Sequence, residues 1–332
     1  MKRASFLVVA ATIALLGFAA PANATHVSCG DTITVNTRLD SDVVCPGTAA
    51  HGLLIGANNI TLHLGGFALR SPDPGGIVGV HQADIDATYS GVQIRAGRIE
   101  GFDSGVLVET TDSLAQRLTV TASTSGIDLR GDRNDALLNV VTLFENPPGE
   151  QAGPGISISG AGAFVTRNTV GGIGTMMIAV SGDDPRVVVN TVECAPGSGD
   201  GILVDHYIDS AVVAKNTVTG CESIGFIVVP ESAEFIGNGH VRRNVANGNG
   251  TGIQMVDATG LLWRNTANNN TFTGILAGPA GLTVTENTAN SNGAYGIDAE
   301  PGVVDGGGNT ASGNGALTGG IQCRNVSCGP SP

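Results

Sequence analysis

Asn265-Thr266-Ala267-Asn268-Asn269-Asn270 returns 22 residues later as Asn287-Thr288-Ala289-Asn290-Ser291-Asn292, and its opening triplet returns again as Asn309-Thr310-Ala311. Toward the N-terminus the series continues through Asn244-Val245-Ala246, Asn216-Thr217-Val218, Asn190-Thr191-Val192 and Asn168-Thr169-Val170. From Asn168 onward the spacings are 22, 26, 28, 21, 22 and 22 residues. Eight to eleven residues after most of these Asn comes a Gly, an apolar residue, a variable one and usually another apolar one. Gly201-Ile202-Leu203-Val204, Gly252-Ile253-Gln254-Met255 and Gly296-Ile297-Asp298-Ala299 show the pattern, and Gly126-Ile127-Asp128-Leu129 extends it upstream. A third short apolar run, such as Gly281-Leu282-Thr283-Val284, leads back to the next Asn.

Three short strands per coil of about 22 residues, separated by Gly and Asn turns, exclude helical repeats, and the leucine-rich repeat frame is absent. Within each strand the apolar positions alternate, so one side chain in two points inward. One such coil cannot enclose a core. Stacked coils can, each strand pairing in parallel with its equivalent one turn away at ~4.8 Å. The expected fold is all-β, a single-domain right-handed parallel β-helix with capped ends. About eleven coils would give a side face some 50 Å long.

The Asn residues fall into columns: Asn244, Asn265, Asn287 and Asn309; then Asn249, Asn270, Asn292 and Asn314 five residues later; then Asn247, Asn268 and Asn290, with Ser312 in the last coil. Asn tolerates the left-handed backbone of a tight turn, and a stacked amide can donate to one neighbour and accept from the other. An Asn ladder at the turns is therefore expected. Six cysteines allow 15 pairings. Cys194 lies four residues after Asn190 and Cys221 five after Asn216, at one corner of adjacent coils. Cys29–Cys45 would close an N-terminal unit and Cys323–Cys328 a loop beyond the last strand.

Composition agrees with this fold. Fifty Gly in 332 residues disfavour long helices, and 41% hydrophobic against 14% charged residues is unlike a disordered chain. Residues 1–24 read as a secretory signal: Lys2 and Arg3, an apolar stretch from Phe6 to Ala20, and Ala22-Asn23-Ala24 as a cleavage site. A secreted, periplasmic or cell-envelope protein follows, with no membrane insertion after cleavage, and an even cysteine count fits that compartment. Cleavage would leave 14 basic and 29 acidic residues, with Lys215 the sole lysine. Such a field repels nucleic acid and anionic membranes. It also points to a calcium-dependent site rather than a basic substrate cleft.

With the Asn-Thr-Val and Gly-Ile coils in place, the chain resembles secreted right-handed parallel β-helix repeat proteins of the pectin-lyase-like superfamily. The resemblance covers residues 76–323. Residues 25–75, with Cys29-Gly30-Asp31-Thr32-Ile33 and Ile60-Thr61-Leu62-His63-Leu64-Gly65-Gly66, look like the N-terminal cap and first coils of bacterial members, and 324–332 form a C-terminal tail. The superfamily includes polysaccharide lyases, hydrolases and epimerases, phage tailspikes, periplasmic proteins supporting copper insertion, and members with no known reaction. Its hydrolases carry Asn-Thr-Asp, paired Asp, Gly-His-Gly and Arg-Ile-Lys. Here the triplets end in Val or Ala, Gly239-His240-Val241-Arg242 lacks the second Gly, and no Arg-x-Lys follows. The Asp-Pro-His motif of alginate epimerases has only Asp205-His206-Tyr207 as counterpart.

One turn gathers titratable groups. Ile178-Ala179-Val180-Ser181 aligns beside Ile202-Leu203-Val204-Asp205, which sets Asp183, Asp184 and Arg186 near Asp205, His206, Tyr207 and Asp209. Asp183, Asp184, Asp205 and His206 are the candidate catalytic groups, through split carboxylate pKa values or a His general base. Arg186 and Tyr207 are the candidate substrate-binding groups. Asp183, Asp184 and Asp205 are the candidate calcium ligands, calcium being the one cofactor considered; a solvated polar turn explains the same residues. Glu109 and Arg130, one coil apart, read as a surface ion pair. His51, His63 and His81 read as partly buried or surface imidazoles of the first coils. Trp263 aligns with Val284, which reads as core or rim packing, with a sugar-stacking platform as the alternative.

Two functions compete. The first is an exported protein whose long side face binds, and as an enzyme would modify, an extracellular polysaccharide by lysis, hydrolysis or epimerisation. The second is a noncatalytic structural or cell-envelope β-helix.

Overall fold

Side chains that alternate along a strand must alternate between core and solvent. In the computed structural model Ile202 and Val204 are fully buried while Leu203 and Asp205 are half-exposed. The structure describes residues 24–72, 77–84, 86–144, 152–207, 210–230, 237–278 and 281–330. The signal segment up to residue 23, Asp209, and the side chains of His206 and Tyr207 lie outside them. No helix occurs among the described residues.

The chain winds through three parallel sheets in about 12 turns. The first sheet collects the Gly-Ile strands, including Met176–Ser181, Asp200–Tyr207 and Ile224–Pro230, in the register Ile178↔Ile202↔Phe226. The second holds the strands that lead to each Asn, including Arg186–Val188, Ser210–Ala214, Asn238–Arg242 and Thr259–Trp263, in the register Val187↔Val213↔Val241↔Leu262. The third holds the strands that follow, including Thr191–Cys194, Thr217–Thr219 and Val245–Asn247, in the register Val192↔Val218↔Ala246. Strands from the first coils join the same columns, with Ile33↔Ile55, Leu62↔Ile94 and Leu69↔Ile99.

The coils stack so closely that the Gly of each Gly-Ile pair has no room for a side chain. A Cβ on Gly252 would lie 2.4 Å from the Gly274 carbonyl oxygen and 2.8 Å from Asn270 Nδ2. At the corner between second and third sheets Asn139, Asn168, Asn190, Asn216, Asn244, Asn265, Asn287 and Asn309 are buried in one ladder. Asn265 donates its backbone N–H (2.9 Å) and a side-chain N–H (3.0 Å) to Asn287 Oδ1, and its other amide hydrogen to the Val241 carbonyl (2.9 Å). A second ladder, Asn249, Asn270, Asn292 and Asn314, ends on Gln322 Oε1.

The left-handed backbone belongs to the residue before each ladder Asn, not to the Asn. Arg264 has φ 54°, Glu286 52° and Gly308 70°. This corrects the expectation from sequence. The chain turns one residue early so that the Asn side chain can enter the ladder, and the residue that bears the strain projects outward.

The cysteines pair as Cys29–Cys45, Cys194–Cys221 and Cys323–Cys328, the pairs favoured by the coil register. Among the described residues no helix is long and apolar enough to cross a membrane.

Candidate functional site

One column of the second sheet is buried, and the residues on either side of it lie in rows on the outer side, Ala214 alone among those of residues 186–263 being covered there. Val187, Val213, Val241 and Leu262 are fully buried. One outward row therefore runs Asp135, Phe164, Arg186, Val212, His240, Leu261. A parallel row runs Val188, Ala214, Arg242, Trp263, Thr285. Leu262, not Trp263, is the partner of Val284. The sequence alignment was one residue out, and period two makes that slip carry Trp263 from the core to the outer face.

Beside the second row stands the corner of left-handed residues that precede the ladder. Arg117, Arg167, Lys215, Arg243 and Arg264 occupy it with φ between 52° and 58°, and all five are exposed. Left-handed backbone costs a non-Gly residue about 1–2 kcal/mol, so the corner is maintained by the ladder packed beneath it. The signal for these residues was present in the sequence: Arg167-Asn168, Lys215-Asn216, Arg243-Asn244 and Arg264-Asn265 each place a cation before a ladder Asn.

The overall acidity of the chain conceals how its cations are distributed. Arg70, Arg98, Arg130, Arg133 and Arg324 pair with Asp42, Glu100, Asp128, Asp112 and Asp298 respectively, away from this face. Arg130 thus pairs with Asp128 in its own strand (2.8 Å), and Glu109 is the weaker influence on it. Arg117, Arg167, Arg186, Lys215, Arg242 and Arg243 have no ion pair among the described residues, and all six lie on the second sheet or its corner. A basic face is present, contrary to the expectation drawn from net charge.

At its centre Val188, Val189, Ala214, Lys215, Arg242, Arg243 and Trp263 line a cleft of about 440 Å³. The Trp263 ring centroid is 4.9 Å from Arg243 Cζ and 4.6 Å from Arg264 Cζ. Arg264 Nε donates to Glu286 at 2.5 Å, a bond that holds the Glu286 carboxyl below its usual range. The indole braces two guanidiniums rather than standing bare. Arg243, stacked in this way and without an ion pair among the described residues, keeps its N–H fork available for a planar anion such as carboxylate, whereas Arg264 is engaged by Glu286. Upstream, Arg186 Cζ lies 5.5 Å over Phe164. Asp135 sits between Leu114 and Phe164, and burial pushes its carboxyl up.

The backbone of the turn singled out from sequence is described, while the side chains of His206 and Tyr207 and all of Asp209 lie outside the described residues. Ser181 pairs with Asp205 and the Gly182 N–H donates to the Asp205 carbonyl at 3.4 Å, so residues 181–184 do run beside Asp205. Asp184, exposed and left-handed at φ 51°, accepts from Ser210 Oγ at 2.5 Å. Arg186 leaves the turn for the second-sheet face. Among the described residues no group of three or more His, Cys, Asp or Glu side chains is placed to hold a metal ion. On the first sheet His51 and His81 stack at 4.8 Å, while His63 Nδ1 accepts the Gly65 N–H at 2.9 Å.

Fold and site together define a parallel β-solenoid with a cationic, aromatic-braced outer face. The sequence matches the right-handed beta helix region family over residues 104–272, and the chain belongs to that family. Among solved structures it is similar to the A-module of Azotobacter vinelandii mannuronan C-5 epimerase AlgE6, at 13% identity and TM-score 0.55 over 90% of this chain and 92% of that one. It is also similar to the periplasmic alginate epimerase AlgG (12%, TM-score 0.43, 90% and 78%) and to the Dettilon tailspike protein (17%, TM-score 0.45, 90% and 60%). At these identities the likeness concerns the fold. No curated protein sequence matches the chain.

Proposed function

We propose that this is an exported protein that binds an acidic polysaccharide along its second sheet. The carrying observation is the cleft at Trp263, where Lys215, Arg242 and Arg243 lack carboxylate partners among the described residues and two guanidiniums are braced on one indole. Arginine forks spaced by a ~4.8 Å coil repeat suit a polymer that carries regularly spaced carboxylates or sulfates. A glycan is also the substrate named for the mannuronan epimerase module that shares the fold. Three disulfides fit an extracellular or periplasmic location, as does the basic and apolar signal read at residues 1–24.

For chemistry on the bound chain, Asp183, Asp184, Asp205 and His206 are the groups to test, with Tyr207 and Arg186 as binding partners. The turn leads directly into the Arg186 strand of the binding face. Calcium is the cofactor to test with them.

Proton NMR of the purified protein with pectate, alginate, hyaluronan and neutral glucans, with calcium and with chelator, examines the whole reading. Selective line broadening of the acidic glycans is expected. New anomeric or unsaturated-uronate signals would add a reaction and send attention to the Asp205 turn. Unchanged spectra throughout would leave a structural β-helix.

A further inference from the structure

The cationic face has two aromatic centres, and the register fixes the distance between them. Phe164 and Leu261 lie in the same outward row, connected by Phe164↔Arg186, Arg186↔Val212, Val212↔His240 and His240↔Leu261. Trp263 is two residues beyond Leu261 on the same strand. Four coil steps at ~4.8 Å separate the centres by about 19 Å along the axis. Each carries an arginine over its ring, Arg186 over Phe164 and Arg243 and Arg264 beside Trp263.

What lies between and beyond them is equally specific. From the Phe164 strand to the Trp263 strand, the two outward rows and the corner contain no carboxylate. The first ones met are Asp135 at one end, paired with Phe164 in the register, and Glu286 at the other, bonded to Arg264. A carboxylate-free run on a strongly acidic protein, bounded by acids and with a braced arginine near each end, has the form of a track of defined length.

We propose that the second sheet holds an extended polyanionic glycan at two stations, Phe164–Arg186 and Trp263–Arg243–Arg264, and so selects chains long enough to reach both. The inference rests on the acidic-polysaccharide reading above and adds a second binding site and a length requirement. When one station is occupied, a long chain reaches the other at high effective concentration, which raises affinity by about 100-fold or more without any new kind of contact.

The test is a titration of oligogalacturonates of graded length, followed by the fluorescence of Trp263, the only tryptophan in the chain. Oligomers shorter than the span are expected to bind weakly, with a rise of about 100-fold once the chain exceeds it. Phe164→Ala should reduce long-chain affinity to the short-chain value. Arg186→Gln, a change at an exposed side chain, should do the same if Phe164→Ala proves poorly folded. An affinity independent of length, or long-chain binding untouched by both variants, would overturn the two-station arrangement while leaving the acidic-polysaccharide reading in place. A fluorescence signal unresponsive to oligomers of every length would remove both.

Discussion

Asn244 donates both its backbone N–H (3.0 Å) and a side-chain N–H (3.1 Å) to the amide oxygen of Asn265 in the next coil. Both residues are about 1% exposed. One oxygen thus satisfies two buried donors, and the geometry repeats down the ladder that positions the cationic corner. Asn265→Ala would strand both donors. At about 1–3 kcal/mol for each unsatisfied buried group, chemical denaturation should show a loss of about 2–6 kcal/mol. Asn265→Asp keeps an acceptor oxygen but loses the donation to Val241, and should also destabilise.

Trp263 braces Arg243 and Arg264 at 4.9 and 4.6 Å. Each exposed cation–π contact contributes about 0.5–1 kcal/mol. If that ordering serves binding, Trp263→Ala should weaken polyuronate affinity by about 1–2 kcal/mol, roughly five- to thirtyfold. Trp263→Phe should retain part of it. Isothermal titration calorimetry gives the affinities without the tryptophan signal, and circular dichroism should show an unchanged strand spectrum.

Burial holds the Asp135 carboxyl above its ordinary value of 3.8. In the window between that value and the raised one, the folded chain binds more protons than the unfolded chain. Stability contributed at this site therefore falls as pH rises through the window and stays reduced above it. Asp135→Asn should be more stable than the parent above the window, and the difference should shrink toward its constant, uncharged part below it. Urea midpoints for both proteins across acidic and neutral pH decide this. A pH-independent difference would mean that Asp135 is not perturbed.

Cys194–Cys221 joins two adjacent coils across a sequence separation of 27 residues. On the chain-entropy account, closing a loop of that size stabilises by about 3.5 kcal/mol. The double variant Cys194→Ser, Cys221→Ser should lose about that much in guanidinium denaturation, provided the unfolded chain retains little structure. Thiol titration of the unfolded parent should find no free cysteine.

The fold was legible because two signals agree. Asn265, Asn287 and Asn309 repeat at one spacing, and Ile253, Ile275 and Ile297 repeat at the same one, so a ladder and a core column can be drawn without knowing the turns. Trp263 shows where that legibility stops. It and Leu262 are both apolar, and only the register with Val284 and Thr285 determines which of them faces in. The cationic face was hidden for another reason. A net charge is a sum, and the sum gives no sign that Asp42, Asp112 and Asp298 occupy other surfaces with their own arginines. The register that sets Ser181 beside Asp205 was legible, because Ile178 and Ile202 occupy equivalent places in the repeat. Side-chain convergence at a turn depends on turn length and conformation, which the repeat does not encode.

The most direct test of the central claim is a titration of the intact protein with polygalacturonate and with a neutral glucan at increasing salt, read by Trp263 fluorescence. The account predicts binding of the acidic polymer alone, with an affinity that falls steadily as salt screens the cationic face. Equal binding of the neutral glucan, or an affinity for polygalacturonate indifferent to salt, would contradict it.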